Sequence, residues 1–189
     1  MIFNFTDDNI LYIGGMNDKP YNNGSYKSSV DFKSISSNKT CHIKSLDYEL
    51  AYHASAVTPI GVITCGGMSP FYEKRKKCFR LSNQNTWESF PSMNNYHNSF
   101  LSFKNSFQMI VLGDILVAID LNYPIVEQNY LRIEKINWRV GGRWESIDMS
   151  SFDRSDISFD GSCVTKWSEE DIIIIGGGNP VSNTQNQPS

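Results

Sequence analysis

The stretch Val62-Ile63-Thr64-Cys65-Gly66-Gly67, followed 21 residues after Gly66 by Trp87-Glu88-Ser89, decides how this chain is read. A short, uniformly apolar run bounded by turn signals reads as a strand buried on both faces. A glycine pair at its end reads as a place where backbones approach too closely for a Cβ. The unit recurs: Leu11-Tyr12-Ile13 runs into Gly14-Gly15, and Ile172 to Ile175 runs into Gly176-Gly177. A degraded copy, Met109-Ile110-Val111-Leu112-Gly113-Asp114, lies between, with Gly113 as its first glycine. Gly14, Gly66, Gly113 and Gly176 are 52, 47 and 63 residues apart, which is room for four short strands per unit.

Two further signals keep phase. Trp144-Glu145-Ser146 follows Gly113 by 31 residues, and the longer interval implies an insertion near Leu121 to Asn129. Tyr52-His53-Ala54-Ser55 is echoed by Tyr96-His97-Asn98-Ser99. Three features in one order establish a repeat, and a period of about 50 residues is that of a four-stranded propeller blade. One unit then reads as strand a near His53 to Val57, a turn at Thr58-Pro59-Ile60-Gly61, and strand b from Val62 to Cys65. A loop from Met68 to Lys77 leads to strand c, Cys78 to Leu81, and Trp87 to Phe90 begins the outer strand d. A Trp there fills the wedge that widens between neighbouring blades. In the third unit strand c is either Ile115 to Ile119 or Tyr130 to Ile136.

The composition agrees. The 189 residues are 40% hydrophobic, 20% charged and 13% aromatic, with a net charge of −3. Such a chain buries a core, favours β-structure, and lacks the positive field that a nucleic-acid binder uses. The apolar run Ile172 to Ile175 is far shorter than the 18 or so residues of a membrane span. Asp7 and Asp8 interrupt the N-terminal segment, so no signal peptide is read there. The sequons at Asn4, Asn23 and Asn38 number no more than the roughly three that chance predicts, and leave the compartment open.

Apolar run, Gly-Gly, variable loop, short strand and Trp together resemble the kelch repeat, from Ile10 to Gly178. The match is best over Tyr52 to Met93. It departs where Asp114 replaces the second glycine and where Cys41 or its neighbours stand at the Trp site. The resemblance implies an all-β fold, a β-propeller fragment of kelch-type four-stranded antiparallel blades, over residues 1–178. Residues 179–189 read as a disordered polar tail. Strands b to d of one unit, two whole units and strands a and b of a fourth make about three blades, where propellers close with about four to eight. The missing blades then come from the rest of a longer chain or from another copy.

The same resemblance implies a non-catalytic protein-protein interaction module, of adaptor type, with the b–c and d–a loops on one face. Those loops include Met16 to Ser29, Met68 to Lys77 and Ser92 to Tyr96. Tyr21, Tyr26, Tyr72, Arg75 and Tyr96 are the expected partner-binding anchors, since Tyr and Arg dominate interface energetics. The partner expected is a protein of unknown identity. Cys65 and Cys78 fall on strands b and c of one hairpin. They are either a disulfide, as in some extracellular kelch-like proteins, or small buried apolar residues. An extracellular structural or adhesion protein is thus one alternative, and a remnant of an oxidase-like propeller enzyme another.

No cofactor or metal is expected. The cysteines at 41, 65, 78 and 163 contain no CxxC pair, and His53 and His97 read as structural residues of strand a, with no acid recurring beside them. Ile172 to Gly178 is followed by Asn179-Pro180 rather than the helix a dinucleotide fold needs. The basic run Lys74-Arg75-Lys76-Lys77 reads as a solvated hairpin loop.

Overall fold

The computed structural model describes residues 8–15, 26–70, 75–97, 107–121, 132–149 and 163–175. Among them there is no helix, and the strands form four antiparallel sheets. The first has the order β1 (Asn9–Ile13), β2 (Val30–Ser34), β3 (Thr40–Ile43). The second runs β4 (Ala51–Thr58), β5 (Gly61–Met68), β6 (Cys78–Leu81), β7 (Trp87–Phe90). The third runs β8 (Phe107–Leu112), β9 (Ile115–Asp120), β10 (Arg132–Asn137), β11 (Glu145–Ile147). The fourth pairs β12 (Cys163–Lys166) with β13 (Ile172–Ile175). Gly176, Gly177 and the tail at residues 179–189 lie outside the described residues.

The cores lie between sheets rather than inside one. Along β9, Leu116 and Ala118 enter the core shared with the second sheet, while Val117 and Ile119 enter the core shared with β12 and β13. Alternate side chains of one strand therefore fill two different seams, which is why strand b shows no polar alternation. β8 packs against both β4 and β12, so successive a strands are neighbours. Exposure grows outward, from β5, buried throughout, to β11, exposed throughout. The arrangement is all-β and propeller-like: four-stranded antiparallel sheets stacked face to face with their first strands together.

The third sheet corrects the register read from sequence. Gly113 sits in the β8–β9 turn, where Leu112 pairs with Ile115, and a Cβ on it would meet nothing within 4 Å. It matches the turn at Gly61, where Thr58 pairs with Gly61, and not Gly66. Counted from the turn, the counterpart of Gly66 is Asp120. Trp144 follows Asp120 by 24 residues, against 21 from Gly66 to Trp87, so most of the expected insertion vanishes. Ile115–Asp120 is strand b, and strand c is Arg132–Asn137.

The Tyr-His echo fails in the same way. Gly15 N donates to Leu50 O and Gly67 N to His97 O, both at 2.8 Å, so His97 stands where the preceding unit has Leu50. Phe107, paired with Asp120, takes the place of His53, paired with Gly66. His97 is therefore off the strand, in the connection that leads into it.

The tryptophans are in register. Trp87 Nε1 donates to Lys44 O at 2.8 Å and Trp144 Nε1 to Pro91 O at 2.7 Å, each just beyond the outer strand of the preceding sheet. Thr40, beside Cys41, holds that position in the first sheet, since the pair Lys33–Thr40 matches Leu81–Trp87. The close approach at Gly66 is also to a connection rather than to the centre of the array. With φ at +70°, a Cβ there would lie 2.6 Å from His97 O and 2.7 Å from the Phe107 ring.

Candidate functional site

The b–c and d–a connections meet at one end of the sheets and are stitched together by backbone hydrogen bonds. Leu46 N donates to Ser28 O at 2.9 Å and Leu50 N to Lys27 O at 3.0 Å; one unit later Met93 N donates to Lys76 O at 3.0 Å. Tyr96 is 49% exposed on this end. Lys76 Nζ stands 4.7 Å from the Tyr96 ring centre and donates to Asn94 O at 2.7 Å. The Arg75 guanidinium lies 5.9 Å from the Tyr48 ring, a cation–π distance. Arg75 and Lys76 are half-buried in this seam and Lys77 is exposed, while Lys74 lies outside the described residues.

Tyr26 is a second correction. It is 6% exposed and packs with Ala51 and Met68, so it belongs to the core and is no binding anchor. Tyr21 and Tyr72 lie outside the described residues. Sequence reading missed Tyr48, half-buried in the Lys44–Leu50 connection with its ring 4.9 Å from Phe79. Its signal was available: aligning Leu46 with Met93 places Tyr48 opposite Asn95 on the same end.

Behind Tyr96 lies a buried polar cluster. His97, Asp120 and Glu134 are each fully buried. His97 Nδ1 is 3.5 Å from Asp120 Oδ2 and His97 Nε2 is 3.4 Å from Glu134 Oε1. The ring stacks on Phe107, with centroids 5.1 Å apart. Glu134 accepts from the backbone N–H of Asn94 and of Asn95, both at 2.8 Å, and from the Asn95 side-chain amide. Two acids, from β9 and β10, thus flank His97, and neither is its neighbour in sequence. Burial pulls the His97 pKa down, but the two carboxylates outweigh it and the net shift is upward. Burial pushes Glu134 up, and His97 with the two amides more than reverses this, so its net shift is downward. His53 differs in its charge surroundings: burial alone lowers it to about 4, although its Nδ1, like both ring nitrogens of His97, makes no hydrogen bond.

Cys65 and Cys78, directly opposed on β5 and β6 with Cα atoms 4.1 Å apart, are joined by a disulfide. Ile13–Val30 and Ile119–Ile133 are the matching cross-strand pairs of the first and third sheets. The bond thus replaces an apolar pair in the core, and Ile119, not Leu112, is the third-sheet counterpart of Cys65. Cys41 and Cys163 are exposed free thiols.

Fold and site together define an all-β protein of propeller-like sheets carrying a basic and aromatic loop end. No family model and no curated protein matches the chain. Among solved structures it is similar to that of YjhT, with 11% sequence identity and a TM-score of 0.58, over 85% of this chain and 56% of that one. At such identity the likeness is one of fold. The chain spans about half the length of YjhT. No helix among the described residues is long and apolar enough to cross a membrane.

Proposed function

We propose that this chain is a kelch-type propeller segment acting as a non-catalytic protein-interaction module, which grips its partner with the b–c and d–a loops. The observation that carries this reading is the convergence of Tyr96, Lys76 and Arg75 on one end, held there by the backbone bonds between connections. A half-exposed aromatic with a cation against it supplies contact area and charge at low entropic cost. The remaining blades come from the rest of a longer chain or a second copy, a view supported by the match to YjhT covering 56% of that chain. Tyr96→Ala or Arg75→Ala weakens binding to a captured partner by about 2 kcal/mol or more, roughly 30-fold. Tyr26→Ala lowers the melting temperature instead. Unchanged affinity in a combined Tyr96→Ala, Arg75→Ala, Lys76→Ala variant refutes this loop assignment.

The Cys65–Cys78 bond favours a second reading, an extracellular structural or adhesion protein, because structural disulfides persist in oxidising compartments. A non-reducing peptide map of protein from its native source shows that bond if the reading is right. Two free thiols there count against it.

A further inference from the structure

We propose that the N-terminal segment Ile2-Phe3-Asn4-Phe5-Thr6, which lies outside the described residues, docks on the open edge of β1 as the first strand of the first sheet. The docking stands whether or not the loop end binds a partner.

The second and third sheets each have four strands, and their a strands, β4 and β8, pack against one another. Among the described residues the first sheet has three, and β1 pairs with β2 alone. A groove of about 300 Å³ lies beside that edge, lined by Ile10, Leu11 and Ile13 of β1 and by Ser55, Val57 and Val62 of the second sheet. On β4 the side chains turned to the third sheet, Ala54 and Ala56, are buried, whereas Ser55 and Val57, turned to the first, are exposed. Among the described residues β4 therefore lacks, on this side, the neighbour that β8 supplies on the other.

The entry to β1 is already shaped as a hairpin turn. Asp8 O accepts from Ile35 N at 2.8 Å, as Asp114 O accepts from Trp138 N at 3.0 Å. These are matching positions, because the pair Ile13–Val30 matches Ile119–Ile133. Asp8 thus holds the place of Asp114, the second residue of the β8–β9 turn, and its carboxylate is tied to Ser34 and Ser36 besides. Carried through the turn, the pairing of Leu112 with Ile115 puts Thr6 opposite Asn9, Phe5 opposite Ile10, Asn4 opposite Leu11 and Phe3 opposite Tyr12. Phe, Ile and Thr favour strands, and aromatic–aromatic and aromatic–β-branched pairs such as Phe3–Tyr12 and Phe5–Ile10 stabilise an antiparallel ladder. Ile2 and Asn4 then fall on the face turned to β4, over Ser55 and Val57. A two-residue hairpin delivers the chain's own segment to this edge, whereas a segment from a second copy loses association entropy.

Backbone polarity agrees. Gly14 N donates to Ser29 O, on the β2 side, and N–H directions alternate along a strand. The N–H groups of Ile10 and Tyr12 therefore point to β2, and those of Leu11 and Ile13 point to the open edge, where a docked strand accepts them. Phe3–Tyr12 is then a pair without mutual hydrogen bonds, the type in which opposed side chains stand closest. Cys65–Cys78 is a pair of the same type, since Gly66 N donates to Lys77 O.

Cysteine pairs test the register in the full chain, with Cys41→Ser and Cys163→Ser removing the exposed thiols. On mild oxidation F3C/Y12C is expected to lose both new thiols to a disulfide within the monomer. N4C/Y12C, one residue out of register and so on opposite faces, stays reduced, although a flexible segment would close that shorter loop just as readily. Equal yields from the two pairs, or no bond in F3C/Y12C, overturn the docking. A disulfide-linked dimer overturns it too, by naming a second copy's segment as the occupant. Should the cysteine variants fail to fold, NMR of the unsubstituted chain decides. Cross-strand contacts between Phe3 and Tyr12, with Leu11 N–H exchanging as slowly as Tyr12 N–H, support the docking; rapid exchange at Leu11 without those contacts overturns it.

Discussion

The seam entered through Leu50 and the seam entered through His97 have the same backbone and opposite chemistry. Each receives a glycine N–H of the preceding sheet at 2.8 Å, and the Trp two seams share the same indole-to-carbonyl bond at 2.7–2.8 Å. Yet one is filled by Leu50, Phe79 and Tyr48, the other by His97, Glu134 and Asn95. The difference teaches that the repeat specifies geometry and leaves the seam's chemistry free. The two histidines show it again: burial lowers His53 to about 4, while two carboxylates raise His97 above the usual histidine value.

Substituting across that comparison has its largest effect at the ionic seam. His97→Leu alone takes the imidazole away from the buried Glu134 carboxylate and costs about 3–5 kcal/mol in urea unfolding near neutral pH. A loss below about 1 kcal/mol would mean that the three groups are not coupled. Next comes the glycine register. Gly66→Ala drives a Cβ onto backbone oxygen in a left-handed conformation and costs about 3 kcal/mol or more. Gly113→Ala, with open space around its Cβ and φ at +52°, costs only about 1 kcal/mol. Equal losses at the two positions would restore the register in which Gly113 matches Gly66. The smallest effect is at the tryptophans. Trp144→Phe removes a donor from a residue only 3% exposed and costs about 1–3 kcal/mol, while Trp87→Phe, at a partly exposed site, costs about 1 kcal/mol. The reverse order, read by thermal unfolding, would place the outer wedge on the wrong tryptophan.

Strands b, c and d of the best unit and the phase of Trp87 and Trp144 were legible, because an apolar run and a lone outer Trp each have one physical cause. Gly113 was misread because glycine has two: it serves a hairpin turn as readily as a close approach, and the sequence alone does not separate them. His97 was matched to His53 by residue type, when the backbone bond from Gly67 pairs it with Leu50. The ionic cluster was invisible for a different reason. Asp120 and Glu134 are far from His97 in sequence and reach it only through the pairing of β9 with β10, so no local spacing marks them. Tyr26 was chosen as a loop anchor because Tyr is at home both at interfaces and, as here, against a small core.

A crystal structure of the chain puts the repeat to the most direct test, by superposing β4–β7 on β8–β11. The account predicts that one rotation carries Leu50 onto His97, Gly66 onto Asp120, Phe79 onto Glu134 and Trp87 onto Trp144 together. A superposition that instead brings Gly66 onto Gly113, or that no single rotation achieves, contradicts it.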